Sequence, residues 1–381
     1  MNHIVFLTLS LTKGGAERVI SNMCNDYFAG RSRVTVISLM KAEPEYTLHP
    51  DVRLITVDEN ERDYLAAMPV RFARRRKKLK RLLCRLQKDG AQVVISFLPE
   101  PNMLACSLKR AVRMPVVISV RNAPAVEYGT RLRYLLMRLL YPKADAYVFQ
   151  TKEAKAYFSF SAHITARGVV IPNPLSAEFI ADVHMRSDKT AGQREGFRVL
   201  AVGRLEAQKN YGRLLAVFEA FHKKYRESSL MICGEGSERA EIERFVSEHG
   251  LSGCVSLPGN VDDIAAQYEA ADVYLMTSDY EGMPNALIEA MACGLPVVVT
   301  DCPCGAPAEL VRNEENGILV PMGNEERTRE ELLAGLERLY TEPDFAGRLA
   351  RSAQNVRETL APNRIYAQWD RLIGRVIGGK E

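Results

Sequence analysis

Glu281 and Glu289 are separated by seven residues, the first on a loop and the second inside the helix that follows. The apolar run Val273 to Met276 comes just before them and reads as a buried strand. Asp279, Gly282 and Pro284 then mark a loop. Pro284 fits the first turn of a helix, where its missing N–H costs nothing. Ala286 to Cys293 continue that helix, Gly294 closes it, and Pro296 to Thr300 form the next strand. A helix N-terminus offers unbonded N–H groups and partial positive charge, which suit a phosphate. Gly282, Asn285 and Ala286 bracket that helix start and join the two glutamates as candidate donor contacts. Carboxylates on either side of a phosphate suit hydroxyl groups, and a phosphate flanked by polyols describes a nucleotide sugar.

Two cations lie on a comparable loop. Arg204 and Lys209 fall between Gly203 and Asn210, after the apolar run Arg198 to Val202. Together with a helix N-terminus they would neutralise a diphosphate and stabilise it as a leaving group. No Asp-x-Asp occurs anywhere in the chain, so neither a catalytic divalent ion nor any other cofactor is expected, and protein cations must do this work. Near the start of the chain, Gly14 and Gly15 follow the strand Ile4 to Leu9 and precede a helix from Ala16 to Phe28. That turn lets backbone approach an anion closely, though the full G-x-G-x-x-G spacing of dinucleotide sites is absent. The eight cysteines are scattered, and Cys302 and Cys304 sit in a Pro/Gly loop, so a structural role is expected rather than metal binding. A reducing, cytoplasmic compartment follows from that pattern.

These loops need strands and helices to hold them. The chain has 381 residues, too many for one ordinary core, and two domains are expected. In the first half, Val34–Leu39, Arg53–Val57, Val93–Phe97, Val116–Val120, Ala146–Gln150 and Val169–Ile171 are short apolar runs with helical segments between most of them. This alternation predicts a parallel sheet covered on both faces. Polar residues from about 173 to 196 read as a linker. A second series follows, with strands at Arg198–Val202, Leu230–Cys233, Cys254–Leu257, Val273–Met276, Pro296–Thr300 and Gly317–Val320. Pro362 starts a last helix bearing Ile365, Trp369, Leu372 and Ile373. The domains are therefore placed at 1–172 and 197–361, with 362–381 as a terminal helix.

Charge is unevenly spread. Met1 to Leu175 carry 28 Lys/Arg against 14 Asp/Glu, giving +14, and the remainder is −10. The stretch from Arg71 to Lys88 holds ten basic residues and no acid, with Phe72, Leu79, Leu82, Leu83 and Leu86 on one face. Its basic face suits either solvent or an anionic membrane surface. A second basic stretch, Arg131 to Tyr141, favours the membrane. Nucleic acid is not expected, because interleaved aromatics and known binding motifs are missing. No run approaches the ~20 apolar residues of a membrane span.

Taken together, Gly14-Gly-Ala-Glu17, Gly203-Arg-Leu with Lys209-Asn210, Gly234-Glu-Gly236, the Glu281/Glu289 pair and Asp301 to Pro307 closely resemble the family-4 retaining glycosyltransferases of GT-B fold. The resemblance covers almost the whole chain. It is nearest to bacterial enzymes of surface polysaccharide and lipid-linked oligosaccharide synthesis, including polyprenyl-diphosphate-linked N-acetylgalactosamine transferases. It implies two Rossmann-like domains facing a cleft, with the last helix crossing back to the first. It implies that Arg204 and Lys209 bind the diphosphate, that Glu281 holds donor-sugar hydroxyls, that Glu289 binds ribose and that Gly14 and Gly15 close over the β-phosphate. Transfer would proceed on the front face with retention, a donor phosphate oxygen taking the acceptor proton. The donor would be a UDP-sugar, and the acceptor a lipid-linked saccharide at the inner face of the cell membrane. Many relatives carry a His where this chain has Arg121 and Asn122, which are the candidates on the acceptor side. Two alternatives share the architecture: a nucleotide-sugar epimerase, for which His163 and His184 fall too near the linker to serve, and a non-catalytic subunit.

Overall fold

The structure is a computed structural model that describes residues 1–12, 14–41, 46–58, 67–180 and 196–379. The chain divides into two compact units, Met1–Pro174 with Asn363–Glu381, and Leu175–Pro362. Unit 1 is built on seven strands, β1 His3–Thr8, β2 Arg33–Met40, β3 Val52–Asp58, β4 Val93–Phe97, β5 Val116–Ser119, β6 Ala146–Phe149 and β7 Gly168–Val170. They lie in the order β3-β2-β1-β4-β5-β6-β7, and every pairing is parallel. Strands buried on both faces read as continuous apolar runs, which is why β1, β4, β5 and β6 are fully buried. The Pro362–Ile377 helix sets Ile365, Trp369, Leu372 and Ile373 at helical spacing, and all are buried. Within unit 1, the Trp369 ring stacks on Phe97 at 5.8 Å between centroids.

Unit 2 has six strands, β8 Phe197–Val202, β9 Ser228–Cys233, β10 Val255–Gly259, β11 Val273–Met276, β12 Val297–Asp301 and β13 Ile318–Pro321. Their order is β10-β9-β8-β11-β12-β13, again wholly parallel. The order reverses between β8 and β11, and such a switch point opens a crevice beyond the carboxyl ends of the two strands.

Several expectations shift at this level. The first helix is α-helical only over Gly15–Asn22 and continues as a π-helix over Met23–Phe28. Pro284 is the N-cap of the Asn285–Ala292 helix, just outside its first turn. Leu175 and Phe179, at the start of the expected linker, are buried in unit 2, while 181–195 lie outside the described residues, as does His184. The basic helix runs from Met68 to Lys88, but its arginines are not all on the surface. Arg75 is 2% exposed, its Nε 2.7 Å from Asp58 Oδ2 and its Nη1 2.7 Å from Glu100 Oε1. A run of ten like charges hides one that faces inward, because its acids come from other elements.

Candidate active site

The loops after β8 and β11 are tied to each other by hydrogen bonds to backbone carbonyls. Thr277 Oγ1 donates to the carbonyls of Lys209 (3.2 Å) and Asn210 (3.0 Å), and Asp279 N–H donates to the Gln208 carbonyl at 2.9 Å. Asn210 adopts a left-handed conformation with φ of 49°, which asparagine tolerates better than most residues. Its side-chain oxygen caps the Tyr211–Lys224 helix by accepting from Arg213 N–H at 3.0 Å, and its amide donates to Asp279. Arg213, itself buried, reaches from that helix to the Thr277 carbonyl and Asp279, both at 2.9 Å, and grips Glu325 through Nε and Nη2. Burial alone would lower the Arg213 pKa, but the Glu325 and Asp279 carboxylates outweigh it and raise the value. The loop after β9 packs against the other side. Gly203 N–H donates to the Cys233 carbonyl at 3.0 Å, and Leu205 N–H to the Glu235 carbonyl at 2.9 Å. A Cβ at Gly234 would fall 2.0 Å from the Gly203 oxygen, and one at Gly236 would fall 2.3 Å from the Leu205 oxygen. Both glycines are therefore required by close backbone approach.

This scaffold brings Lys209 and Glu281 together. Glu281 is 5% exposed, and its Oε1 accepts from Lys209 Nζ at 2.5 Å and from Ser278 Oγ at 2.7 Å. Gln208 Nε2 reaches its other oxygen at 3.1 Å. Glu289 lies in the second turn of the Asn285–Ala292 helix, also buried, and accepts from the Tyr268 hydroxyl at 3.1 Å. Gly282 is buried on the loop before the helix, and Asn285 and Ala286, its first two residues, are half-buried. Arg204 is exposed and has no ion-pair partner among the described residues. Unit 2 thus holds Arg204, Lys209, Glu281, Gly282, Asn285, Ala286 and Glu289.

Unit 1 holds the remaining candidates. Gly14 is the N-cap and Gly15 the first residue of the Gly15–Asn22 helix. The buried Glu17 carboxylate folds back beneath Gly14, so that a Cβ there would lie 2.1 Å from Glu17 Oε2. Arg121 and Asn122 follow β5, with Asn122 Oδ1 accepting from Ala123 N–H at 2.9 Å. Arg121 is buried, its guanidinium 4.8 Å above the Phe97 ring centroid and 5.7 Å from that of Trp369. The residues that sequence reasoning missed are Gln208, Arg213, Tyr268, Ser278 and, as Arg121's partner, Asn173. Nothing local marks them, since each meets its partner across a loop or from another element.

Known proteins resemble both units of the chain. Residues 196–341 match the family described as Glycosyl transferases group 1, and residues 14–174 match the Glycosyl transferase 4-like domain. The chain is a glycosyltransferase, with one such domain matched in each unit. A Campylobacter jejuni relative, the GalNAc-alpha-(1->4)-GalNAc-alpha-(1->3)-diNAcBac-PP-undecaprenol alpha-1,4-N-acetyl-D-galactosaminyltransferase, is 27% identical over 99% of both chains. The amylovoran biosynthesis glycosyltransferase AmsD of Erwinia amylovora is 26% identical over 94% of this chain and 96% of its own length. Among solved structures, Anabaena HepE in complex with UDP superposes with a TM-score of 0.77 at 19% identity, covering 98% of this chain and 100% of that one. The glycosyltransferase therefore has the GT-B fold, with two parallel-sheet Rossmann-like units. Within each unit, taken by itself, the candidate residues lie on loops that follow strands, at the carboxyl edge where α/β folds bind ligands.

Proposed function

We propose that this glycosyltransferase moves a hexose from a UDP-sugar to a hydroxyl of a lipid-linked saccharide, with retention at the anomeric carbon. The observation that carries the reading is the Lys209–Glu281 pair, held across two loops that flank the switch point of unit 2. A cation beside a carboxylate suits the junction of a diphosphate and a sugar. Lys209 and Arg204 stabilise negative charge as the diphosphate leaves, Glu281 receives sugar hydroxyls, and Glu289, one turn into the next helix, receives those of the ribose. Gly14 and Gly15 let backbone close on the β-phosphate. The leaving phosphate oxygen takes the acceptor proton, so the protein need supply no base. Because the sequence lacks Asp-x-Asp, the leaving group is neutralised by side chains and no cofactor is required.

The acceptor reading draws support from the relative named for an undecaprenol-linked acceptor. We extend it to peripheral contact between unit 1 and an anionic membrane at the cytoplasmic face. No helix among the described residues is long and apolar enough to cross a membrane. The Arg131–Leu140 helix instead turns Leu132, Leu135 and Leu139 outward, at 56%, 63% and 66% exposure, beside the exposed Arg131 and Arg138. Exposed leucines on one helical face, flanked by cations, suit a lipid interface. A panel of nucleotide sugars offered with undecaprenyl-diphosphate-linked saccharides tests the whole reading. It fails if no member of the panel transfers sugar, or if the product's anomeric configuration is inverted.

A further inference from the structure

Three arginines are buried among the described residues, Arg75, Arg121 and Arg213. Two of them are clasped by carboxylates: Arg75 by Asp58 and Glu100, Arg213 by Asp279 and Glu325. Arg121 has no carboxylate partner among the described residues. Its Nη1 donates to Asn173 Oδ1 at 3.1 Å, and that oxygen, a neutral amide, also accepts from Gln150 Nε2 at 2.8 Å. Its Nε and Nη2 have no partner among the described residues. Those two atoms form one edge of the guanidinium, the side-on fork that fits two oxygens of a carboxylate or phosphate. In Arg213 the same edge holds Glu325, with contacts of 3.1 Å from Nε and 2.6 Å from Nη2. In Arg121 it is buried and unpaired among the described residues.

The surroundings do not supply the missing charge. Phe97 and Trp369 offer ring faces, which favour a cation but do not replace water or a counterion. Burial pushes the Arg121 guanidinium down to about 9. The position is the carboxyl edge of β5, the edge at which parallel sheets take ligands. Ser119 Oγ, at the end of β5, and Gln150 Oε1, just after β6, are likewise buried without partners among the described residues. A side chain kept only to fill the space between two aromatic rings would not need a charge, and leucine or methionine would serve better.

We propose that Arg121 is an anion receptor of unit 1, binding a substrate phosphate side-on through Nε and Nη2. The inference rests on the glycosyltransferase reading only for the source of that phosphate, the donor's diphosphate or a phosphate on the acceptor. Arg121→Met keeps length and stacking but removes charge and fork; Arg121→Lys keeps charge without the fork. The full chain is titrated calorimetrically with UDP, and with inorganic pyrophosphate in an Arg204→Ala/Lys209→Ala background that disables the unit 2 cations. UDP binding by the unaltered protein checks the donor reading separately. If the phosphate is the donor's, Arg121→Met weakens UDP at least tenfold. If it is the acceptor's, UDP affinity stays within twofold, and pyrophosphate binding in the altered background falls at least tenfold. In both cases Arg121→Met melts, without ligand, no lower than the unaltered protein, since an uncompensated charge has gone. Affinities for both probes within twofold in a folded Arg121→Met variant overturn the proposal. Should that variant not fold, Arg121→Lys decides: a tenfold loss on either probe supports the fork, and unchanged affinities on both refute it.

Discussion

Replacing Lys209 by alanine breaks the closest charged contact of the candidate site, and the structure sets the size of the effect. Lys209 Nζ lies 2.5 Å from Glu281 Oε1, with the two side chains 16% and 7% exposed. Loss of one partner from a buried pair costs about 3–5 kcal/mol, because the other charge is left stranded. Here Ser278 and Gln208 still donate to Glu281, so the lower end applies. If Lys209 also stabilises the leaving diphosphate, Lys209→Ala further loses ~2.7–4 kcal/mol of transition-state stabilisation, or roughly a hundred- to thousandfold in kcat. The two roles separate in a double-mutant cycle with Glu281→Ala. The double variant should lose less than the sum of the single losses, by about 0.5–3 kcal/mol, since each single change strands the other charge. Arg204 has no such partner, so Arg204→Ala should show a similar kinetic loss yet combine with Glu281→Ala additively, to within about 0.5 kcal/mol. Single-turnover transfer by the unaltered protein and these variants at one salt concentration measures all the terms. Near-normal turnover in Lys209→Ala, or strict additivity with Glu281→Ala, would refute the paired role.

The two glutamates should differ in their effects: Glu289→Ala weakens UDP binding itself, whereas Glu281→Ala spares UDP and lowers transfer, and equal loss of UDP affinity contradicts the assignment. Transfer should survive EDTA, and a complete loss restored by Mg²⁺ would show that side-chain cations do not suffice. On anionic vesicles, Arg74, Lys77, Lys80 and Arg81 replaced by Gln should remove the salt-sensitive part of binding, screened over ~8–10 Å. Leu132, Leu135 and Leu139 replaced by Ser should remove the salt-resistant part, and unchanged binding in both sets ends the membrane reading. Arg75 must be left out of any such set, since its loss removes the buried partner that Asp58 and Glu100 share. Burial pushes Glu127 up to about 8. The folded state keeps a proton there that the unfolded state has already released, so stability should fall as pH rises from about 4.5 to about 8, by at most ~1.4 kcal/mol per pH unit. Chemical denaturation across that range should show the slope shrinking in Glu127→Gln, and an unchanged slope would mean that Glu127 titrates normally.

What could be read from sequence divides along a physical line. The strands of both sheets follow from apolar runs, because a strand buried on both faces needs no partner to be recognised. The loop candidates follow from residue type, because charge and glycine at a strand's end are local facts. Pairings are not local. Lys209 meets Glu281 across 72 positions, and Arg213 meets Glu325 across 112. The charge count shows the limit most plainly. Counting +14 in the first 175 residues treats every arginine alike, yet folding sorts them into kinds with different consequences. Arg74 is exposed, and its charge is available to a surface or to nothing. Arg75, its neighbour in sequence, is neutralised inside the protein and speaks only to stability. Arg121 is buried with Nε and Nη2 unpaired among the described residues. A charge that the fold leaves unpaired in its interior calls for a counterion from outside the chain, and the proposed phosphate contact would supply one.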